Sequence, residues 1–185
     1  MVRYEDRLYL MWCPGEVPEG ERVRLETSGE YVLEAVASIE EHRPSQLAEE
    51  QPELHQELAR LDSKLQLVLE LVAQMRGGDM KAETMSRGFL VFAADRIEFE
   101  TLGESVEAGQ EGVLKVVLHP SIPEPLGVPG RVTDVGEQAG RQMAVLEPVE
   151  RHWSYREALS RHVFRHHRRQ VAAARRAGTS PTTAE

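Results

Sequence analysis

The sequence predicts an α+β protein: a small antiparallel β-barrel with a C-terminal helix and a long coiled-coil helix inserted behind its first strand. Three observations predict it. Short strand-like runs punctuated by glycine and proline fill residues 79–150. Apolar residues recur at heptad spacing from Leu47 to Met75. An arginine-rich amphipathic run then spans Arg151 to Arg176. The 185 residues divide accordingly: N-terminal strand or strands of the barrel at 1–29, a helical insertion at 30–78, the barrel at 79–150, a basic helix at 151–177, and a polar tail at 178–185 expected to be disordered.

The first element is a strand over Leu8–Trp12, where bulky apolar and aromatic side chains cluster. Pro14, Gly15, Pro18 and Gly20 turn the chain into a loop. Val23 and Leu25 alternate with charges over Arg22–Glu26, which predicts a second strand. Leu33, Val36, Ala37 and Ile39 follow at helical spacing, and Pro44 ends that segment. Pro52 suits a first helical turn, where its missing N–H has no partner to lose. Gly77 and Gly78 stop the run behind Arg76, whose charge opposes the helix dipole. A helix from Pro52 to Arg76 is about 37 Å long at 1.5 Å per residue. Phe89–Ala93, Arg96–Leu102, Val113–His119, Gly130–Val135 and Arg141–Leu146 read as the remaining strands.

The heptad run has a defined seam. Leu58, Leu65 and Val72 occupy a; Leu47, Leu54, Leu61, Val68 and Met75 occupy d. Early flanking positions are polar (Glu57, Asp62, Lys64), whereas Leu69 at e and Leu71 at g are apolar. A dimer leaves e and g half exposed, but a wider bundle buries them. The seam therefore predicts a homo-oligomer of more than two strands, a tetramer above all. A bulky barrel on each chain favours a parallel coiled coil.

Composition bounds the rest. A net charge of −9 argues against general nucleic-acid binding. Cys13 is the single cysteine, which excludes a disulfide framework and a cysteine zinc cluster. Charges at Arg3, Glu5, Asp6 and Arg7 leave no apolar signal region, and no run approaches the roughly 18 apolar residues of a membrane span. A soluble, cytoplasmic protein is expected. No nucleophile elbow, phosphate loop, zinc-protease or dinucleotide motif is present, so the chain reads as a non-enzyme.

The C-terminal text from His152 to Gln170 (HWSYREALSRHVFRHHRRQ) resembles the closing helix of PilZ domains, the bacterial receptors for cyclic diguanylate. Residues 86–120 resemble that family's central strands. The likeness covers 84–170 and extends to residues 1–26. It implies a ligand motif R-x-x-x-R, matched by Arg3 and Arg7, whose guanidiniums would grip phosphates and stack on guanine. It implies a second motif, D/N-x-S-x-x-G. Here Thr84 stands at the acid position, Ser86 at the serine and Phe89 at the glycine, with Gly88 one residue early. The acid that would accept the guanine edge is missing, and Phe89 fills a place where close backbone approach wants no side chain. The resemblance thus implies a divergent, atypical member with Arg3, Arg7, Ser86, Arg87 and Gly88 as its ligand residues and with binding weakened or lost. Cyclic diguanylate is the sole ligand or cofactor it suggests.

Between Arg151 and Arg176 lie eight arginines, four histidines and one acid, Glu157. At 100° per residue, Arg161, Arg165, Arg168 and Arg169 share one arc, and Tyr155, Leu159, His162, Val163 and His166 share another. The second arc is expected on the barrel. The first is expected to face solvent, the chain's own acidic segments, an acidic protein partner, or phosphates. His162 and His166, at i and i+4, are a weak metal pair, since no cysteine or carboxylate lies near them in sequence. The expected function is an oligomeric signalling adaptor acting on an unidentified protein partner. The alternatives are a true cyclic diguanylate receptor using Arg3, Arg7 and Ser86, or a nucleic-acid-binding regulator using the basic helix.

Overall fold

The computed structural model describes residues 2–41, 53–54, 56–58, 60–61, 63–65, 68, 85–93, 95–122, 124–149 and 152–178. Its strands are β1 (Arg3–Pro14), β2 (Ser86–Ala93), β3 (Ile97–Glu100), β4 (Glu111–Val117), β5 (Leu126–Gln138) and β6 (Arg141–Pro148). They close into a barrel in the order β1-β2-β3-β6-β5-β4, with every pairing antiparallel. Alternation explains the closure: Leu10 and Trp12 on β1, Leu90 and Phe92 on β2, and Ile97 and Phe99 on β3 are all buried in one core. The β5–β6 hairpin turns on Ala139 and Gly140, both with positive φ (51° and 74°). That geometry matches the right-handed twist of the flanking strands.

β1 is shared between two neighbours. Arg3–Leu10 pairs with β2, whereas Tyr9–Pro14 pairs with β4. The first half of β1 therefore has one ladder edge free of strand partners. The C-terminal helix α2 (Trp153–Gly178) covers it. Gln170 Nε2 donates to the Glu5 carbonyl at 2.5 Å, and His167 Nδ1 lies 2.7 Å from the Arg3 carbonyl. Buried or edge carbonyls left bare are costly, so these two side chains finish what the strand cannot.

α1 (Glu19–Glu41) replaces the expected strand at Arg22–Glu26. The Pro18 carbonyl accepts the N–H groups of Glu21 (3.0 Å) and Arg22 (2.9 Å), and Glu19 and Glu21 complement the dipole in the first turn. Two apolar residues alternating over five positions do not distinguish strand from helix, and the helix signals upstream decide it. The N-terminal division at 1–29 thus contains one strand, and helix begins at Glu19 rather than at residue 30. The remaining expected strands are present with shifted ends. α1 lies over β5, where Leu25 packs on Gly127: a Cβ there would stand 2.7 Å from Leu25 Cδ2.

α1 and α2 run side by side and parallel. The Ser154 hydroxyl donates to Glu30 at 3.0 Å near one end, and Glu40 meets Arg169 at 2.8 Å near the other. In the heptad region, residues 53, 54, 56–58, 60, 61, 63–65 and 68 are helical. Leu54, Leu58, Leu61, Leu65 and Val68 are 45% to 61% exposed. Leu47, Leu69, Leu71, Val72 and Met75, the proposed stop at Gly77-Gly78 and the tail beyond Gly178 lie outside the described residues. Among the described residues, no helix is long and apolar enough to cross a membrane.

Candidate functional site

The ligand residues implied by resemblance gather around the β1–β2 ladder. Arg7 stands opposite Phe89, Leu8 opposite Gly88, Tyr9 opposite Arg87 and Leu10 opposite Ser86. Arg87 Nε reaches the Arg7 carbonyl at 3.3 Å. Strand pairing therefore brings together two segments that lie far apart in sequence. Arg3 and Arg7 lie within β1 rather than before it, and four residues of strand span about 13 Å. Glu5 sits between them on the same side of the pleat. Of the two, Arg7 lines the open depression described below and Arg3 does not.

Gly88 serves the interior instead. A Cβ at Gly88 would meet Leu10 Cδ2 and Leu102 Cδ1, each at 3.1 Å. Ser86 is exposed at the start of β2 and lines a separate small crevice of about 40 Å³ with Trp12 and Leu102. Thr84 lies outside the described residues.

Sequence reasoning missed Arg141. Its guanidinium lies over the Phe89 ring, 5.1 Å from the centroid. Arg7, Phe89 and Arg141, with Glu5, Asp6 and Gln170, line an open depression of about 530 Å³. Phe89 thus lines this depression with a cation over its ring. No local pattern joins Arg141 to Phe89; only closure of the barrel through β3 and β6 does.

A second cluster knits β1, α1 and α2 together. Tyr4 Oη lies 2.8 Å from His162 Nε2, and Tyr4 stacks between Phe92 (centroids 5.4 Å) and His166 (4.6 Å). Burial, reinforced by His166, Arg165 and Arg169, pushes the His162 pKa down to about 3. Burial, with Asp6 and Glu40, pushes the Tyr4 hydroxyl well above its usual value. The pair is therefore neutral near pH 7, as a buried hydrogen-bonded pair should be. His166 Nε2 lies 3.1 Å from Glu40, but burial holds its pKa below the ordinary value despite that carboxylate. Arg169 is the standing cation opposite Glu40. The expected inward arc of α2 is confirmed in Tyr155, Leu159, His162 and Val163, all buried. Part of its basic arc answers the chain's own acids, as Arg169 does.

The other candidates are inert or incomplete. Cys13 is partly buried, and burial raises its thiol pKa, which disfavours the thiolate a nucleophile needs. The His162 and His166 rings are 4.4 Å apart, but no group of three metal-ligating residues occurs among the described residues.

Comparison with known proteins places this architecture. No curated protein matches the chain. A solved structure from Xanthomonas campestris matches with a TM-score of 0.69 at 24% identity, covering 92% of this chain and 91% of that one. It is described as a pathogenic protein and a new tetrameric PilZ domain self-assembled via an unusual helical bundle. At that identity the likeness shows the fold: a PilZ-type barrel with helical additions. Residues 33–176 match the family described as "Atypical PilZ domain, cyclic di-GMP receptor". That match takes in the end of α1, the heptad region, the barrel from β2 to β6 and most of α2, and so this chain belongs to the atypical PilZ domain family.

Proposed function

We propose that this protein is a non-enzymatic, oligomeric signalling adaptor in a bacterial pathway governed by cyclic diguanylate, acting through protein–protein contacts with ligand binding weakened or lost. One observation carries the reading: the helical ridge of Leu54, Leu58, Leu61, Leu65 and Val68 is exposed in a single chain. A run of large apolar side chains at heptad spacing is stable in water only when another surface covers it. Identical ridges from other copies, in a parallel tetrameric coiled coil, cover it best. The tetramer and helical bundle of the Xanthomonas protein support that number.

The loss of ligand binding rests on the β1–β2 face. Arg3 and Arg7 are strung along a strand, Gly88 packs on Leu10 and Leu102, and Arg141 covers Phe89. Light scattering on the full chain tests the assembly. We expect a tetrameric mass for the wild type and a monomeric mass for Leu61→Asp with Leu65→Asp. A monomeric wild type overturns the reading.

A second reading keeps ligand binding, and the family's description as a receptor favours it, together with two guanidiniums and a ring on one open face. Calorimetry with cyclic diguanylate separates the two. Micromolar binding lost in Arg7→Ala supports the receptor; absence of heat at high protein concentration supports the adaptor.

A further inference from the structure

We infer that the face shared by α1 and α2 is a docking surface for an acidic, amphipathic helical segment of a partner protein. The inference rests on the adaptor reading and gives the partner its chemistry. Because the helices run parallel and in contact, a groove of about 440 Å³ lies between them. Leu33, Ala37 and Ala158 contribute its apolar lining, and the small side chains keep it open to a guest. Arg161, Phe164 and Arg165 line it from α2.

The exposed aromatic residues of the two helices are the first argument. Tyr31 is 71% exposed, Trp153 77% and Phe164 50%. They are three of the chain's ten aromatic rings. By helical periodicity, Trp153 and Phe164 share an arc of α2 with Arg161 and Arg168, and Tyr31 shares an arc of α1 with Glu34 and Ser38. Phe164 lines the groove itself, and periodicity sets Trp153 and Tyr31 on the same arcs of α2 and α1 as its lining residues; a scattered exposed ring needs no explanation, but three on two adjoining helices depart from an ordinary surface. Aromatic and arginine side chains are the residues that carry binding energy at protein interfaces.

Charge selects the occupant. α2 carries seven arginines against one acid, Glu157, whereas α1 carries seven glutamates against two arginines, and of these Glu34 lines the groove. The positive field therefore belongs to the α2 wall, where Arg161 and Arg165 stand, and a guest that lies along that wall is acidic. Arg161 meets Glu157 only at 3.9 Å, with both side chains more than half exposed. Such a pair is weak and leaves its arginine available to a competitor. Arg168 lies 5.8 Å from the centre of Phe164, so a cation and a ring are presented side by side. From Trp153 to Phe164 the helix rises about 16 Å, three turns, which matches a guest helix with apolar residues at i, i+3 or i+4, i+7 and i+11.

The test uses the full chain and a displayed library of random 16-residue peptides. Selected peptides are synthesised and titrated by fluorescence polarisation against three proteins: wild type, Phe164→Ala, and Arg161→Glu with Arg165→Glu. These positions are exposed or half-buried on α2, and circular dichroism with a melting curve confirms that each variant folds. The expected result is peptides rich in acids with apolar residues at helical spacing, binding at least tenfold more weakly to both variants and unchanged to Arg87→Ala. Peptides without acids, failure to select any peptide, or binding indifferent to both variants overturns the proposal. Tighter binding of a random DNA duplex than of any peptide assigns the face to nucleic acid, and a reduced light-scattering mass for Phe164→Ala assigns it to a second copy; either overturns it too. A monomeric wild type would sink the tetramer while leaving the peptide result intact, so the two failures are distinguishable.

Discussion

Gly29 of α1 lies against the ring of Tyr155 of α2, so close that a Cβ at Gly29 would stand 2.5 Å from Tyr155 Cε2. Tyr155 is fully buried, and the contact sets how near the two helices approach. Gly29→Ala has opposing effects. Helix propensity gains about 1 kcal/mol, while overpacking a filled contact costs about 1–3 kcal/mol. A net loss of stability is expected in urea denaturation. Gly20→Ala, in the same helix but facing open space, is expected to raise stability by up to about 1 kcal/mol. A stabilised Gly29→Ala would show that the helices separate at no cost.

Acid is expected to loosen the cluster of α2 with β1. His162 is neutral in the fold with a pKa of about 3, and an unfolded histidine titrates near 6.5. Its folded pKa is depressed, so the unfolded state binds the proton more readily between those values. Its neutral-form contribution is complete above about pH 6.5 and is lost as pH falls toward 3. The slope approaches about 1.4 kcal/mol per pH unit. Denaturation midpoints measured from pH 7 to 4.5 should fall accordingly. His162→Gln should flatten that profile; an unchanged slope would place the proton elsewhere.

Removing the hydroxyl of Tyr4 isolates the other half of that pair. Tyr4→Phe keeps the stacking on Phe92 and leaves buried His162 Nε2 without its 2.8 Å partner. An unpaired buried polar group costs about 1–3 kcal/mol, so a loss of that size is expected by urea titration. A neutral result would mean that water replaces the hydroxyl.

Glu40 ties the end of α1 to α2 through Arg169. Glu40 is largely buried but Arg169 is about half exposed, so solvent screens much of the attraction. Arg169→Ala is expected to cost no more than about 1 kcal/mol at low salt, and less at high salt. Hydrogen exchange should increase at the last turn of α1 while the barrel strands stay protected. Uniform acceleration across the strands would contradict a local tie.

The barrel was legible because its strands are short, alternating and marked by glycine and proline, as at Val113–His119 and Arg141–Leu146. The inward arc of α2 was legible because one period, 3.6 residues, governs both Tyr155 and His162. α1 before residue 30 was not. Its glycines at 20 and 29 and its charged, thinly apolar face hide a helix that tertiary packing on Gly127 and Tyr155 creates. The ligand face was only half legible. Arg7 and Ser86 belong to segments that do pair, but spacing in sequence did not reveal that Arg3 and Arg7 lie along one extended strand. Nor did it reveal that Arg141 reaches Phe89 across the closed ring.

The side chains of Gln170 and His167, laid along the first residues of β1, have a consequence for crowding. Copies tethered on one bundle, as proposed above, would meet each other at about millimolar local concentration. A bare ribbon of amides there would be a template for zipping neighbouring barrels into fibres. With that seam sealed by α2, each barrel in such an assembly would stay a discrete bead, and sociability would be confined to other surfaces.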